Sequence, residues 1–385
     1  MNELKQIIQA YRQFQSTGIS CVLATLVKVR GSHYRKEGAK VLISEVGDMI
    51  GAISGGCMET DLKNIAKKVI VSGESRLTKY DSTSSEEIVF GLGVGCGGVV
   101  EILVEPIGQN GHPYLDAMCE MLTHHNRLIS AVIYSSNTPD LTGGRLVLSQ
   151  NECIWSNIEN ETIKKKITFW MNQVSSHSNN INTVIETEYG PLNLNVFCDF
   201  ISPSIHLLII GGGNDAMPLV YFAKKLGWDI TIADHRPSYA TLERFPGADK
   251  VIVTPSETIL ENLNFENIDA VIILTHNFLN DLALLKILLP MELPYLGLLG
   301  ARKRTQNLLS EVENTEIMSI DDVKNKLFAP VGLDIGSDTP EEIALAIVSE
   351  IKAVLSGGDG GSLRNLNCRD RDAQRKEHQL ETPCL

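Results

Sequence analysis

The chain has 385 residues, more than one ordinary hydrophobic core organises, so two or three domains are expected. Its 34 basic against 47 acidic residues leave a net charge of −13, which argues against nucleic acid or a membrane surface as the main partner but not against a small anion at a local site. Apolar residues at 43 % and charged residues at 21 % describe a globular composition, and no apolar run is long enough to suggest a transmembrane helix.

The start, Met1-Asn2-Glu3-Leu4-Lys5-Gln6-Ile7-Ile8, reads as the first turns of a helix and not as a signal peptide. The eight cysteines are dispersed, with no C-x-x-C pair or zinc spacing, which fits a reducing cytoplasm. Leu4, Ile7, Ile8, Tyr11 and Phe14 share one face of a helix over residues 3–17. Cys21 to Val27 reads as a buried strand, followed by a polar loop over residues 31–38 that contains His33 and Arg35. Lys40–Ile43 and Met49–Ile53 flank Gly47-Asp48 as a hairpin.

The loop Ser54-Gly55-Gly56-Cys57 then leads into a helix over 58–72 with Glu59 and Asp61 in its first turn. Glycine lets backbone approach a ligand closely. Cys57 therefore reads either as a thiolate that meets a soft metal or a sulfur atom, as a persulfide carrier, or as a small apolar filler. Cys96, in Gly93-Val94-Gly95-Cys96-Gly97-Gly98, has a similar setting, although its glycines also suit a bulge or tight turn. A strand over 99–106, a helix near 113–126 and strands over 128–134 and 193–198 follow. The polar stretch 156–182 reads as variable surface structure, and Ser202-Pro203-Ser204 as a linker.

From His206 the pattern is repeated β–α units, with strands expected at 206–210, 229–233, 250–254, 269–275 and 295–299. Gly211-Gly212-Gly213-Asn214-Asp215-Ala216 fits G-x-G-x-x-A between strand and helix, the dinucleotide fingerprint. Gly211 makes the turn, Gly213 admits a phosphate and Ala216 lets helix and strand pack. Asp234 falls where an acceptor for a ribose hydroxyl belongs, and Arg236 could meet a phosphate instead. His276, at the end of the fourth strand, is a candidate donor or proton carrier, or a plain polar loop residue. Asp281 is a weaker candidate, and Arg302-Lys303-Arg304 offers three cations after the fifth strand. Thr339-Pro340-Glu341-Glu342 is a strong start for a last helix reaching Leu355, and 364–385 has the composition of a mobile tail. Walker A, H-E-x-x-H, G-x-S-x-G and EF-hand patterns are missing from the sequence.

These motifs together resemble the XdhC/CoxI family, the accessory factors of xanthine dehydrogenase and related molybdenum hydroxylases. One block runs through Gly31-Ser32, Tyr34-Arg35, Gly38-Ala39-Lys40, Ile53-Ser54-Gly55-Gly56-Cys57, Glu59, Asp61 and Gly95-Cys96-Gly97-Gly98. The other holds the glycine loop, Asp234, Arg236-Pro237, Thr275-His276, Gly297-Leu298-Leu299-Gly300, Gly332-Leu333-Asp334-Ile335-Gly336 and Thr339 to Ala344. Residues 107–200 match poorly.

The resemblance implies an α/β protein, with a mixed α+β domain over 1–200 and a Rossmann-like parallel-sheet domain over 204–358. It implies a chaperone without turnover of its own, which binds the molybdenum cofactor (molybdopterin), protects it and delivers its sulfurated form. Cys57, with Gly55 and Gly56, falls on the family's cofactor-binding cysteine and would contact molybdenum through the bound cofactor. Cys96 would shape the same pocket, and Gly211, Gly213, Asp234, Arg236 and His276 would hold a phosphate and a pterin or ribose, with NAD(P) or another nucleotide as a further occupant. The expected partners are an apo-xanthine dehydrogenase or related hydroxylase, a cysteine desulfurase or sulfurase, and a second copy in a homodimer, with no nucleic acid and no membrane. Two other classes stay open: an NAD(P)-dependent oxidoreductase with His276 as acid or base, and an adaptor that binds only proteins.

Overall fold

The computed structural model describes residues 2–31, 33–81, 98–108, 111–175, 180–187, 192–313 and 320–365, so Cys96 and the expected tail from 366 onward lie outside the described residues. Contacts divide the chain into two compact units, one from Glu3 to Pro203 and one beginning at Ser204. Each is described by itself.

The first unit contains two antiparallel sheets of five strands. Strands β1 (Cys21–Gly31), β2 (Lys40–Ser44), β3 (Met49–Gly51), β4 (Arg76–Asp81) and β5 (Gly98–Ile107) pair in the order β3-β2-β1-β5-β4. Strands β6 (Leu128–Ser136), β7 (Arg145–Ser149), β8 (Glu152–Ser156), β9 (Ile181–Thr187) and β10 (Leu192–Ile201) pair in the order β8-β7-β6-β10-β9. Successive side chains of a strand point to opposite faces. Val22, Ala24 and Leu26 accordingly pack against a helix that buries Leu62, Ile65, Ala66 and Val69, while Val27 meets Leu103, Val132, Tyr134 and Phe197 between the sheets. A register shift between Leu26 and Lys28 then turns Val29 back to the helix side.

The helices of this unit are α1 (Asn2–Thr17), α2 (Glu59–Ser72), α3 (Pro113–His124) and α4 (Glu161–Gln173). The layers run α2, first sheet, second sheet, α4, and α1 and α3 fill the intersheet core through Ile7, Tyr11, Leu115 and Met118. The stretch expected as variable surface contains α4, which buries Ile163, Ile167 and Met171. The side chain of Asn160 caps it by accepting from Thr162 and Ile163 N–H.

The intersheet layer also holds charge. Arg145 is only 2 % exposed; its Nη2 reaches Glu105 Oε2 at 2.5 Å, its Nη1 donates to Ser130 Oγ at 2.8 Å, and its guanidinium lies 4.1 Å from the Tyr114 ring centroid. Burial opposes that charge, but Glu105 and Tyr114 outweigh it and raise the pKa of Arg145. Lys40 pairs with Asp199, which also accepts the Tyr114 hydroxyl at 2.8 Å.

The second unit is a parallel sheet of strands β11 (His206–Ile210), β12 (Asp229–Asp234), β13 (Lys250–Val253), β14 (Ala270–Ile273), β15 (Leu296–Leu298) and β16 (Leu327–Phe328). Their order, β13-β12-β11-β14-β15-β16, is that of two mononucleotide-binding halves meeting between β11 and β14. Its helices are α5 (Ala216–Lys225), α6 (Ile259–Asn262), α7 (Phe278–Leu288), α8 (Arg302–Glu313), α9 (Ile320–Lys326) and α10 (Pro340–Leu355). Leu207, Ile209, Ile230 and Ile272 face α5 and α10; Leu208, Ile210, Val271 and Ile273 face α6 to α9. Thr339 and Glu342 close the capping box at the start of α10. The Rossmann-like sheet and the mixed α+β unit expected from the sequence are both present, and no helix among the described residues is long and apolar enough to cross a membrane.

Candidate functional site

In the first unit, β3 leads through Ala52 and Ile53 into the loop that carries Ser54, Gly55, Gly56 and Cys57. Gly56 has φ +116°, a conformation a side chain would strain. A Cβ on Gly55 or Gly56 would meet nothing within 4 Å, so the loop presents bare backbone to open space. Cys57 is half-buried and, with Val29, Met49 and Tyr80, packs against the rim of the core that includes Ile53, Met58 and Leu62. The N–H groups of Gly55 and Cys57 find no acceptor in the protein among the described residues.

Glu59 fixes this loop, a role its position in the sequence does not reveal. Its carboxylate accepts the Ser54 hydroxyl at 2.8 Å and the Met58 N–H at 2.9 Å, and Ser54 Oγ accepts the Gly56 N–H at 3.2 Å. Asp61, two residues on, accepts the Tyr80 hydroxyl at 2.7 Å. Arg35 pairs with Glu3, which also accepts the Ala52 N–H at 2.6 Å, and His33 Nδ1 accepts the Arg35 N–H at 3.2 Å. Among the described residues no three or more His, Cys, Asp or Glu side chains form a metal cage.

In the second unit, Gly211, Gly213, Asp234, Arg236 and His276 come together at the carboxyl edge of the parallel sheet. Gly211 has φ +120°, and a Cβ there would lie 2.5 Å from Leu274 O. A Cβ on Gly212 would lie 2.4 Å from Tyr239 O, whereas one on Gly213 would find only His276 Cδ2, at 3.9 Å. The openness that suits a ligand is therefore at Gly213. The N–H groups of Gly213, Asn214 and Asp215 have no acceptor among the described residues, and they lie at the start of α5, where a helix favours an anion.

Asp234 is 4 % exposed and heavily engaged. It accepts the Gly212 N–H at 2.7 Å, the Arg236 N–H at 2.8 Å, and Arg236 Nε and Nη2 at 2.9 and 2.7 Å. Burial alone would raise its pKa, but the bonds from Arg236 and Gly212 hold it below the usual carboxylate value. Arg236 stacks 3.7 Å from the Tyr239 ring centroid. Arg244 lies over the same ring at 5.1 Å, with Nε on Gly212 O at 3.0 Å and Nη2 on Asn214 Oδ1 at 2.7 Å. Arg244 and Tyr239 stand outside every motif, and only cations and aromatics grouped after β12 could have flagged them.

His276 has φ +56°, and its Nε2 lies 2.9 Å from Asp215 Oδ2. Asp281 is fully buried beneath this turn, bonded to Thr275 Oγ1 and to Arg304 Nη2, each at 2.5 Å. Burial pushes the Asp281 carboxyl up against the opposing pull of Thr275 and Arg304. Of the three cations after β15, Arg304 is thus committed to Asp281, while Arg302 and Lys303 are exposed.

Comparisons with known proteins give one family for both regions. The XdhC and CoxI family matches residues 14–81, and the XdhC Rossmann domain matches residues 207–351. A Bacillus subtilis (strain 168) protein described as a probable xanthine dehydrogenase subunit is 30 % identical over 335 residues, which span 86 % of this chain and 92 % of that protein. The molybdenum cofactor insertion chaperone PaoD of Escherichia coli (strain K12) is 22 % identical over 338 residues, 88 % of this chain and 84 % of PaoD. The crystal structure of a xanthine dehydrogenase from Bacillus halodurans matches with a TM-score of 0.73 at 29 % identity, covering 93 % of this chain and 98 % of that one. With its Cys57 loop in the first matched region and its glycine loop in the second, the chain belongs to the XdhC and CoxI family.

Proposed function

We propose that this protein is an accessory factor of xanthine dehydrogenase or a related molybdenum hydroxylase, carrying the molybdenum cofactor as cargo, sheltering it and delivering its sulfurated form. The observation that carries this reading is Cys57, a half-buried thiol beside two glycines whose Cβ directions are open. The cargo brings a soft molybdenum–sulfur centre, and a thiol suits such a centre. Cys57 would hold it, and the N–H groups of Gly55 and Cys57, without acceptors among the described residues, would bind its oxygen atoms. Glu59 and Asp61 make this end of α2 a poor place for a phosphate, so the loop fits the metal end of the cargo better than its phosphate.

Similarity to a molybdenum cofactor insertion chaperone and to a probable component of a xanthine dehydrogenase supports the same reading. The protein would work in the cytoplasm, with an apo-hydroxylase as client, a sulfurase as sulfur source and a second copy as its homodimer partner. Cys96 would assist Cys57.

Anaerobic purification from cells that make molybdopterin tests this. Bound pterin and molybdenum per chain should be near-stoichiometric in the wild type and lost in Cys57→Ala, with the circular dichroism spectrum and unfolding midpoint unchanged. A folded wild-type protein without pterin, even after addition of the cofactor, would overturn the reading. Equal retention in Cys57→Ala would remove Cys57 from it.

A further inference from the structure

We propose that the carboxyl edge of the parallel sheet binds a phosphorylated dinucleotide of the NADP class, and that Arg236 and Arg244 select it over NAD. The inference concerns the second unit alone and does not depend on the cargo assigned to Cys57.

The place is set by topology. From β11 the sheet continues to β12 on one side and β14 on the other, and open parallel sheets bind ligands in the crevice at such a reversal. The glycine loop, Asp234 and His276 all lie at the strand ends beside it. Three successive N–H groups, of Gly213, Asn214 and Asp215, lack acceptors there among the described residues and suit a diphosphate. Asp215, the carboxylate on this loop, is engaged by His276 at 2.9 Å.

Selectivity follows from hydrogen-bond inventory. The unmodified ribose of NAD offers two hydroxyls and needs an acceptor, normally the acid at the end of the second strand. Here that acid, Asp234, is buried and already accepts bonds from Gly212 and Arg236. What faces outward beside it is a donor surface. A guanidinium has five N–H groups and no acceptor. Arg236 spends two on Asp234, so three remain. Arg244 spends one on Gly212 O and one on Asn214, so three remain there too, and it has no carboxylate partner among the described residues. Both guanidinium groups are held over the Tyr239 ring, so they are oriented before a ligand arrives. The two guanidinium groups offer donors alone, and the charge of Arg244, unlike that of Arg236, is not offset by a carboxylate among the described residues, which complements the acceptor oxygens of a ribose phosphate.

The test is a titration of the full chain, made in cells unable to synthesise molybdopterin, with NADPH and with NADH, followed by nicotinamide fluorescence and calorimetry. NADPH should bind at least about tenfold more tightly than NADH, the effect of losing one charge-assisted contact. Adenosine 2′,5′-bisphosphate should displace it. Arg244→Gln, which leaves every Asp234 bond in place but frees Gly212 O and Asn214, should weaken NADPH by a larger factor than NADH. Arg236→Gln with Arg244→Gln should bring the two ligands level. Equal affinities in the wild type, no binding of either at millimolar concentration, no displacement, or a preference that survives in the double variant would each overturn the proposal. Pterin retention in Cys57→Ala is a separate measurement, so failure here and failure of the cargo assignment are distinguishable.

Discussion

Removing the Glu59 carboxylate should release the Cys57 loop without unfolding the unit that carries it. Glu59 holds the Ser54 hydroxyl at 2.8 Å and the Met58 N–H at 2.9 Å, and Ser54 in turn holds Gly56. Bonds to a buried charge contribute about 1.5–3 kcal/mol each, and Glu59 is half-exposed, so about 1 kcal/mol apiece is appropriate. Glu59→Ala then favours the open loop by about 2 kcal/mol, a shift of about thirtyfold in its population. Where opening and closing are fast, a thiol reagent reports that population. Alkylation of Cys57, followed by peptide mass spectrometry, should accelerate by up to about the same factor, since the half-buried thiol also reacts slowly in the closed loop, against the exposed Cys153 as internal reference. Glu59→Gln loses the charge but keeps one acceptor oxygen, so its rate should fall between the two. An unchanged rate in Glu59→Ala, with Cys153 also unchanged, would refute the idea that these bonds hold the loop.

Three further outcomes follow from the geometry. Glu105→Gln should cost about 3–5 kcal/mol in urea unfolding, because it strands the buried Arg145 charge. Glu105→Leu with Arg145→Leu should recover most of that loss, and a near-zero coupling in the double-mutant cycle would contradict it. Gly212→Ala should destabilise the Rossmann-like unit by about 1–3 kcal/mol because its Cβ would have to displace the Tyr239 carbonyl, whereas Gly213→Ala should fold normally. Matching unfolding curves for the two variants would show that the loop is looser than this geometry. Finally, His112 Nδ1 is buried without a partner among the described residues, and desolvation lowers its pKa despite the opposing pull of Glu105. A lowered folded-state pKa means that the unfolded chain takes the proton first, so stability present above about pH 6.5 is lost as pH falls below it. Urea midpoints measured from pH 7.5 to 5 should show that decline, and His112→Leu should flatten it; an identical slope in the variant would assign the decline elsewhere.

The second unit was legible because its signals are local. A strand ending in glycines, an acid at the end of the next strand and a Thr-Pro-Glu-Glu helix start are each confined to a few residues, and the strands fall within two residues of their expected places. The two-residue β16 carries too little pattern to be seen. In the first unit, α4 was hidden because Ile163, Ile167 and Met171 form a narrow apolar stripe among polar neighbours. Edge strands such as β4 and β8 were hidden because exposed positions interrupt their alternation. Candidate residues were legible as positions, not as partnerships. Asp234 was recognisable from its spacing, but its engagement by Arg236 depends on a side chain folding back two residues, and Arg244 reaches Gly212 from thirty-two residues away. Glu59 looked like a helix-start acid and proved to be the anchor of the loop before it.

His276 sits where the backbone turns through left-handed space, a conformation that costs a side-chain-bearing residue about 1–2 kcal/mol. Its side chain is 54 % exposed, so core packing gives little in return. Glycine would hold the same turn at comparable or lower free energy. Position 276 is therefore one where improving the protein as a folded object and preserving what its edge presents pull apart. A stabilisation campaign scored on melting temperature alone would tend to accept glycine here, and would silently delete the imidazole that faces Asp215.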